Sequence, residues 1–266
     1  MKNLLSTVLL LIFTCINAQN NEFVYKVGVK PDPNKDSIIV KYMSLEVIKK
    51  KSIFRTEEDK KRDSLESLNV QLNSYDTNIV DNLYFTKDYS KKEFKKHFIQ
   101  VYNKYYLEIK NPLKWKLLND KRTFGEFDCK KATIFYGGRN WTAWYTESIP
   151  IFDGPYVFRN LPGLIISIID DKGDYSFDLI EIKKIGKKNI PERKSQIKIN
   201  WEDLKKLQKN YYSDPSRDIR STSNWVDKSG NKIEIDFRDA DEKERKKLKR
   251  FNNPIEIENK VDYDAK

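Results

Sequence analysis

Pro162 and Gly163, set directly ahead of the apolar run LIISII at residues 164–169, constrain this chain more than any other feature. Proline fixes its own φ and pushes the residue before it, Leu161, to an extended conformation. Glycine takes positive φ without steric cost. Together they make a sharp bend, and the exit of that bend is a strand buried on both faces, which belongs inside a sheet rather than at its edge. Asn160 opens the corner. Asparagine tolerates the left-handed region better than most residues, so a left-handed backbone is expected there. The corner Asn160, Leu161, Pro162 and Gly163 is read first as a device that orients a core strand, and second as a ligand-contacting corner.

Hairpins flank this corner on both sides. Gly137 and Gly138 separate ATIFY from RNWTAWY, which is a hairpin signal. In the second arm Trp141, Ala143 and Tyr145 share one face, and Thr142, Trp144 and Thr146 share the other. DDKGD at residues 170–174 turns LIISII back into YSFDLIEI. Its third residue is Lys172, so a hairpin turn is favoured over a calcium loop. Further upstream, FVYKVGV, SIIVKYMSLEVI, NLYFT, HFIQVYNKYYLEI, LKWKLL and CKKATIFY all have strand character. Successive hairpins leave little room for crossovers and argue for a meander.

Helical texture comes early and late. Residues 52–73 lack Gly and Pro and carry Phe54, Leu65, Leu68 and Leu72 at near-helical spacing, which predicts a helix over part of the segment. Asn200 caps a second helix with Glu202 and Asp203 in its first turn. Its apolar stripe is Trp201, Leu204, Leu207 and Tyr211. Residues 239–251 read as a highly charged helix with little apolar surface, and residues 252–266 as a mobile tail. The expected fold is α+β: a curved antiparallel β-sheet, a half-barrel-like meander, with one early helix and one or two C-terminal helices. Residues 19–190 form the β domain, 191–251 a charged helical extension and 252–266 the tail.

Residues 1–18 read as a secretory signal peptide, with Lys2, an apolar middle and Ala18 before the cut. The apolar stretch is too short to span a membrane, and no later segment reaches the needed length. Cys15 invites a lipoprotein reading, but Thr14 stands where a lipobox wants a small residue. After cleavage Cys129 is the only cysteine, so no intrachain disulfide forms and stability rests on a packed core. Tyr, Phe and Trp number 15, 14 and 5, which supplies that core. The net charge of +11 mixes 51 basic with 40 acidic residues. It favours solubility or attraction to anionic head groups, and export disfavours nucleic acid as a partner.

The chemistry available is narrow. A single histidine, His97, excludes multi-histidine metal sites, and its lysine-rich neighbourhood reads as a solvated strand. No nucleophile motif accompanies it, and Cys129 reads as a buried thiol. No catalytic residue, metal ligand or cofactor is assigned. The candidate site is aromatic: Arg139, Trp141, Trp144, Tyr145, Tyr156 and Phe158, with Phe152 nearby, either wall an apolar-ligand pocket or simply make core.

CKKAT (129–133), GGR (137–139), AWYT (143–146) and NLPGLI (160–165) stand in an order that resembles the GLPGLI family, exported proteins of Bacteroidetes-type bacteria. The likeness runs over residues 84–182, and it departs from the family hexapeptide at Asn160. The resemblance implies a periplasmic, cell-surface or secreted address, and its motifs carry no catalytic residue. The layout is also similar to the half-barrel of periplasmic lipoprotein carriers, a likeness of fold alone. The first expectation is a non-catalytic binding or carrier module for an apolar ligand such as a lipid or peptide. The alternatives are an accessory protein docking on an outer-membrane or surface partner and, last, a carboxylate-based hydrolase.

Overall fold

The computed structural model describes residues 20–68, 83–100, 103–186, 189–222, 225–226, 229–231 and 233–264. The expected signal peptide at 1–18, and the end of the expected early helix at 69–73, lie outside the described residues. A 12-stranded sheet dominates. Strands β1 (Asn20–Val29), β2 (Ile39–Ile48), β3 (Lys51–Thr56), β4 (Phe85–Asp88), β5 (Glu93–Gln100) and β6 (Asn103–Glu108) run outward in chain order on one side. Strands β7 (Lys116–Phe124), β8 (Phe127–Tyr136), β9 (Arg139–Thr146), β10 (Leu164–Asp170) and β11 (Tyr175–Ile185) form a second meander. The two join where β1 pairs antiparallel with β11. The sheet is curved but open, and among the described residues the one parallel pair is β12 (Gln196–Lys198) beside β6. Because β6 and β7 stand near opposite ends of the strand order, the link between them must cross the sheet.

Alternation sorts side chains onto two faces. The inner face carries Phe23, Tyr25, Val27, Leu45, Phe54, Trp141, Ala143 and Phe177, all buried in one cluster. The long β9–β10 connection folds back over this face and adds Tyr156, Val157, Phe158 and Leu161 to the same cluster. Side chains from distant parts of the chain hold the connection and the strand that follows it. Lys87 of β4 donates to the Gly154 carbonyl at 2.7 Å and pairs with Asp153. Trp115 donates its indole N–H to the Arg159 carbonyl at 2.8 Å, and the Tyr25 hydroxyl donates to the Ile165 carbonyl at 2.6 Å.

The corner behaves as its residues demand. Asn160 has φ +70° and Gly163 φ +149°. A Cβ on Gly163 would lie 2.0 Å from the Thr146 carbonyl oxygen, so both backbone freedom and absence of a side chain are required. Strand β10 follows, with Leu164, Ile165, Ile166 and Ile168 buried.

Four helices accompany the sheet among the described residues: α1 (Glu57–Ser67), α2 (Trp201–Ser213), α3 (Arg217–Thr222) and α4 (Arg238–Arg250). Asn200 caps α2 through a reciprocal bond with Asp203, and Trp201, Leu204 and Leu207 pack on Phe98, Tyr105 and Leu107. Helix α1 differs from expectation. It begins after Thr56, Phe54 belongs to β3, and Leu65 and Leu68 are exposed. The buried positions of α1 are Asp59 and Asp63, which pair with Arg55 and Arg193. Charge complementarity, not an apolar stripe, seats this helix. Likewise HFIQVYNKYYLEI is not one strand but the adjoining parts of β5 and β6.

Residues 191–251, expected as a charged helical extension, also give the sheet its strand β12, and Arg193 is buried against α1. The segment from 252, expected as a mobile tail, is packed instead. Asn253, Ile255, Glu256 and Val261 are all at most 3% exposed. The tail packs into the inner face because buried partners satisfy its polar groups while two apolar side chains fill space beside the sheet.

Candidate ligand-binding site

The candidate aromatic residues do not form one open wall. Trp141, Tyr156 and Phe158 have no exposed surface. Trp141 and Phe158 lie 4.7 Å apart, with Tyr175 and Phe177 close by. Tyr145 is buried in the same cluster. Trp144 sits on the outer face, half-buried beside Phe124 and under the Lys131 ammonium. Phe152 is exposed. Adjacent strand positions point to opposite faces, so Trp144 turns away from Trp141 and Tyr145, although it packs, partly buried, against the same core cluster.

Arg139 is a structural clamp. Its guanidinium donates to Asp170 at 2.7 Å and Asp174 at 2.9 Å, and to the Ile255 carbonyl, the Asn253 side chain and the Pro254 carbonyl. The two carboxylates of the 170–174 turn are thus ligands of an arginine, and the arginine ties that turn to the C-terminal segment. Gly137 and Gly138, both at positive φ, matter here as well: a Cβ on either would press on residues 255–258.

His97 is corrected from solvated to buried. One ring nitrogen bonds the Thr86 hydroxyl at 2.7 Å and the other the Gln196 side chain at 2.8 Å. Burial, with Arg193 and Lys95 nearby, lowers its pKa to about 3, so the ring stays neutral. Cys129 is buried, and burial pushes its thiol up to about 11, away from nucleophilic use. Lys87 is wholly buried, and burial pulls it down to about 8 against the opposing pull of Asp153.

An apolar cavity of about 260 Å³ lies between the inner face of β5, helices α2 and α4 and the C-terminal segment. Phe98, Trp201, Leu204, Leu248, Phe251 and Val261 supply its greasy wall, and Lys96 and Glu256 its polar end. The Lys96 ammonium lies 2.6 Å from the Glu256 carboxylate. That carboxylate also accepts from the Tyr136 hydroxyl at 3.0 Å and from the Tyr156 hydroxyl. Burial and Glu256 push both phenols well above their ordinary pKa, so both remain donors. A second cavity, of about 420 Å³, opens on the outer face and is lined by charged and polar groups including Glu93, Lys95, His97 and Arg193.

Of the candidates named from sequence, only Tyr156 reaches the inner cavity's polar end, through Glu256. The cavity walls come from β5, α2, α4 and the tail. The α2 stripe beginning at Trp201 was the available sequence signal, but nothing local says that it faces Phe98.

A family model described as a protein of unknown function (Porph_ging) matches residues 137–167, the stretch from the β8–β9 turn into β10. No curated protein matches the sequence. Structures of PNGF-II in the P21 and C2 space groups superpose with a TM-score of 0.52 at 14% identity. The match covers 71% of this chain and 33% and 32% of theirs, so the chain spans about a third of their length and the likeness is one of fold. No helix among the described residues is long and apolar enough to cross a membrane.

Proposed function

We propose that this chain is an exported, non-catalytic binding or carrier module of the GLPGLI type, which holds an apolar ligand such as a lipid on the inner face of its sheet. The observation that carries this reading is the apolar cavity beneath α2 and α4, walled by Phe98, Trp201, Leu204 and Phe251. Its volume sits just under the roughly 300 Å³ at which small-molecule pockets begin, suiting one short chain rather than a folded partner. Apolar side chains make up the larger part of its wall, with charged and amide groups such as Lys96, Gln208, Glu244, Lys247, Asn252 and Glu256 around it. The family-model match over residues 137–167, which contains the turn, AWYT and LPGLI motifs, supports the family assignment.

Native mass spectrometry of the purified protein with added short-chain amphiphiles tests the reading. A stoichiometric adduct that Leu204→Trp abolishes, in a variant of unchanged melting temperature, is the expected result. An adduct retained in full by that variant would move the ligand out of this cavity.

A further inference from the structure

Glu256 is the shared acceptor of three donors that the body of the protein fixes in advance. Lys96 projects from β5, Tyr136 ends β8, and Tyr156 stands in the β9–β10 connection with its ring against Phe85 at 5.2 Å. Tyr156 holds φ +50°, a left-handed conformation that a bulky residue adopts only when its surroundings impose it. An ammonium and two phenolic hydroxyls, all buried, are a donor set suited to one carboxylate. The carboxylate now there comes from the far end of the chain.

The segment that delivers it is anchored unevenly. Residues 253–255 are fastened by Arg139, by the Tyr175 hydroxyl at 2.6 Å from the Asn253 carbonyl, and by Asn253 on the Lys30 carbonyl at 2.7 Å. Beyond them, the Asn259 and Lys260 amides bond back into the segment itself. The Val261 carbonyl accepts from Asn252 of the same segment, and the Glu258 amide reaches Gly137 at 3.3 Å. The Glu256 carboxylate is therefore the main polar tie between residues 256–261 and the sheet. Glu256 and Val261 both line the apolar cavity.

We propose that Lys96, Tyr136 and Tyr156 form a carboxylate receptor which Glu256 fills from within the chain, and that the cavity's ligand is a carboxylate-headed acyl chain that takes the place of Glu256. The proposal rests on the reading of this cavity as an apolar ligand site. Two carboxylates cannot share one buried ammonium without strong repulsion, so ligand entry and Glu256 exit are one exchange. The anchor at residues 253–255 stays, and residues 256–261 swing away as the acyl chain enters past Val261.

Decanoate and decanol, titrated calorimetrically into the purified protein, separate the two readings. Decanoate is expected to bind at least about tenfold more tightly, because decanol cannot displace Glu256 and must bury its hydroxyl without the receptor's donors. Hydrogen exchange at the amides of residues 256–261 should quicken in the decanoate complex while that of residues 253–255 holds. Glu256→Gln, which keeps the side chain's shape but competes less well for Lys96, should tighten decanoate binding severalfold. Should that variant fail to fold, the wild-type titrations and exchange data decide. Equal binding of decanoate and decanol, or unchanged exchange at saturating decanoate, would overturn the carboxylate exchange and leave the apolar cavity standing. Binding of neither would sink both.

Discussion

At the scale of single residues, backbone demands were the legible part. Asn160 and Gly163 occupy the positive-φ positions that their identities imply. Gly163→Ala should cost more than about 4 kcal/mol, because its Cβ would overlap the Thr146 carbonyl and the backbone must move. Asn160→Gly should change stability by less than about 1 kcal/mol, since glycine takes the same backbone. Urea denaturation of both variants checks the contrast. His97 was misread because its sequence neighbours are lysines, while its spatial neighbours are Tyr84, Thr86, Gln196 and the charged groups Arg193, Lys95 and Asp63. Its folded pKa of about 3 lies below the unfolded value of about 6.5. Below about pH 6.5 the unfolded chain takes a proton that the folded chain refuses, so this contribution is full above 6.5 and is lost as pH falls toward 3. The slope reaches about 1.4 kcal/mol per pH unit. His97→Gln should flatten the wild-type fall in urea midpoint between pH 6.5 and 4, and an unchanged slope would show that the imidazole is not held neutral.

At the scale of elements, hairpins were readable and helix seating was not. The Gly137-Gly138 turn and the alternation of β9 announce themselves within a few residues, because a turn and a strand are local devices. Helix α1 was found by its lack of breakers, yet its buried side is Asp59 and Asp63. An apolar template cannot recognise a face whose partners, Arg55 and Arg193, come from β3 and from a segment about 130 residues downstream. The same logic hid the role of Arg139, which sequence grouped with aromatic rings and structure joins to two segments, the 170–174 turn and residues 253–255. Arg139→Gln leaves the Asp170 and Asp174 carboxylates buried without a cation and should cost about 3–5 kcal/mol. Arg139→Lys keeps the charge but cannot match the forked set of bonds, and should fall between the two. Chemical denaturation orders the three proteins, and a lysine variant as stable as wild type would show that charge alone matters there.

At the scale of the whole molecule, the C-terminal segment decides what the sheet's inner face is. Composition assigned residues 252–266 to a mobile tail, since Ile255 and Val261 are scattered among polar residues and no period marks them. Yet both are nearly fully buried, and Glu256, Asn253 and three backbone carbonyls meet donors on the sheet side. Long-range pairing of this kind leaves no local trace, which is why the hairpins were legible and the closure of the groove was not. The energetic consequence can be bounded. Burying Ile255 and Val261 is worth about 1.5–3 kcal/mol each. Removing their segment also strands Lys96 beside Tyr156 and Trp201 without its carboxylate, and takes away the Arg139 bonds to Asn253, Pro254 and Ile255. The total exceeds roughly 5 kcal/mol, comparable with the whole stability of an ordinary domain. Truncation after Phe251 should therefore give a protein that melts far below wild type or exposes its inner face and aggregates, read by thermal circular dichroism and gel filtration. A truncated monomer with the wild-type melting temperature would mean that the sheet and helices close without the segment, and the groove would then be a site held open rather than one filled from within.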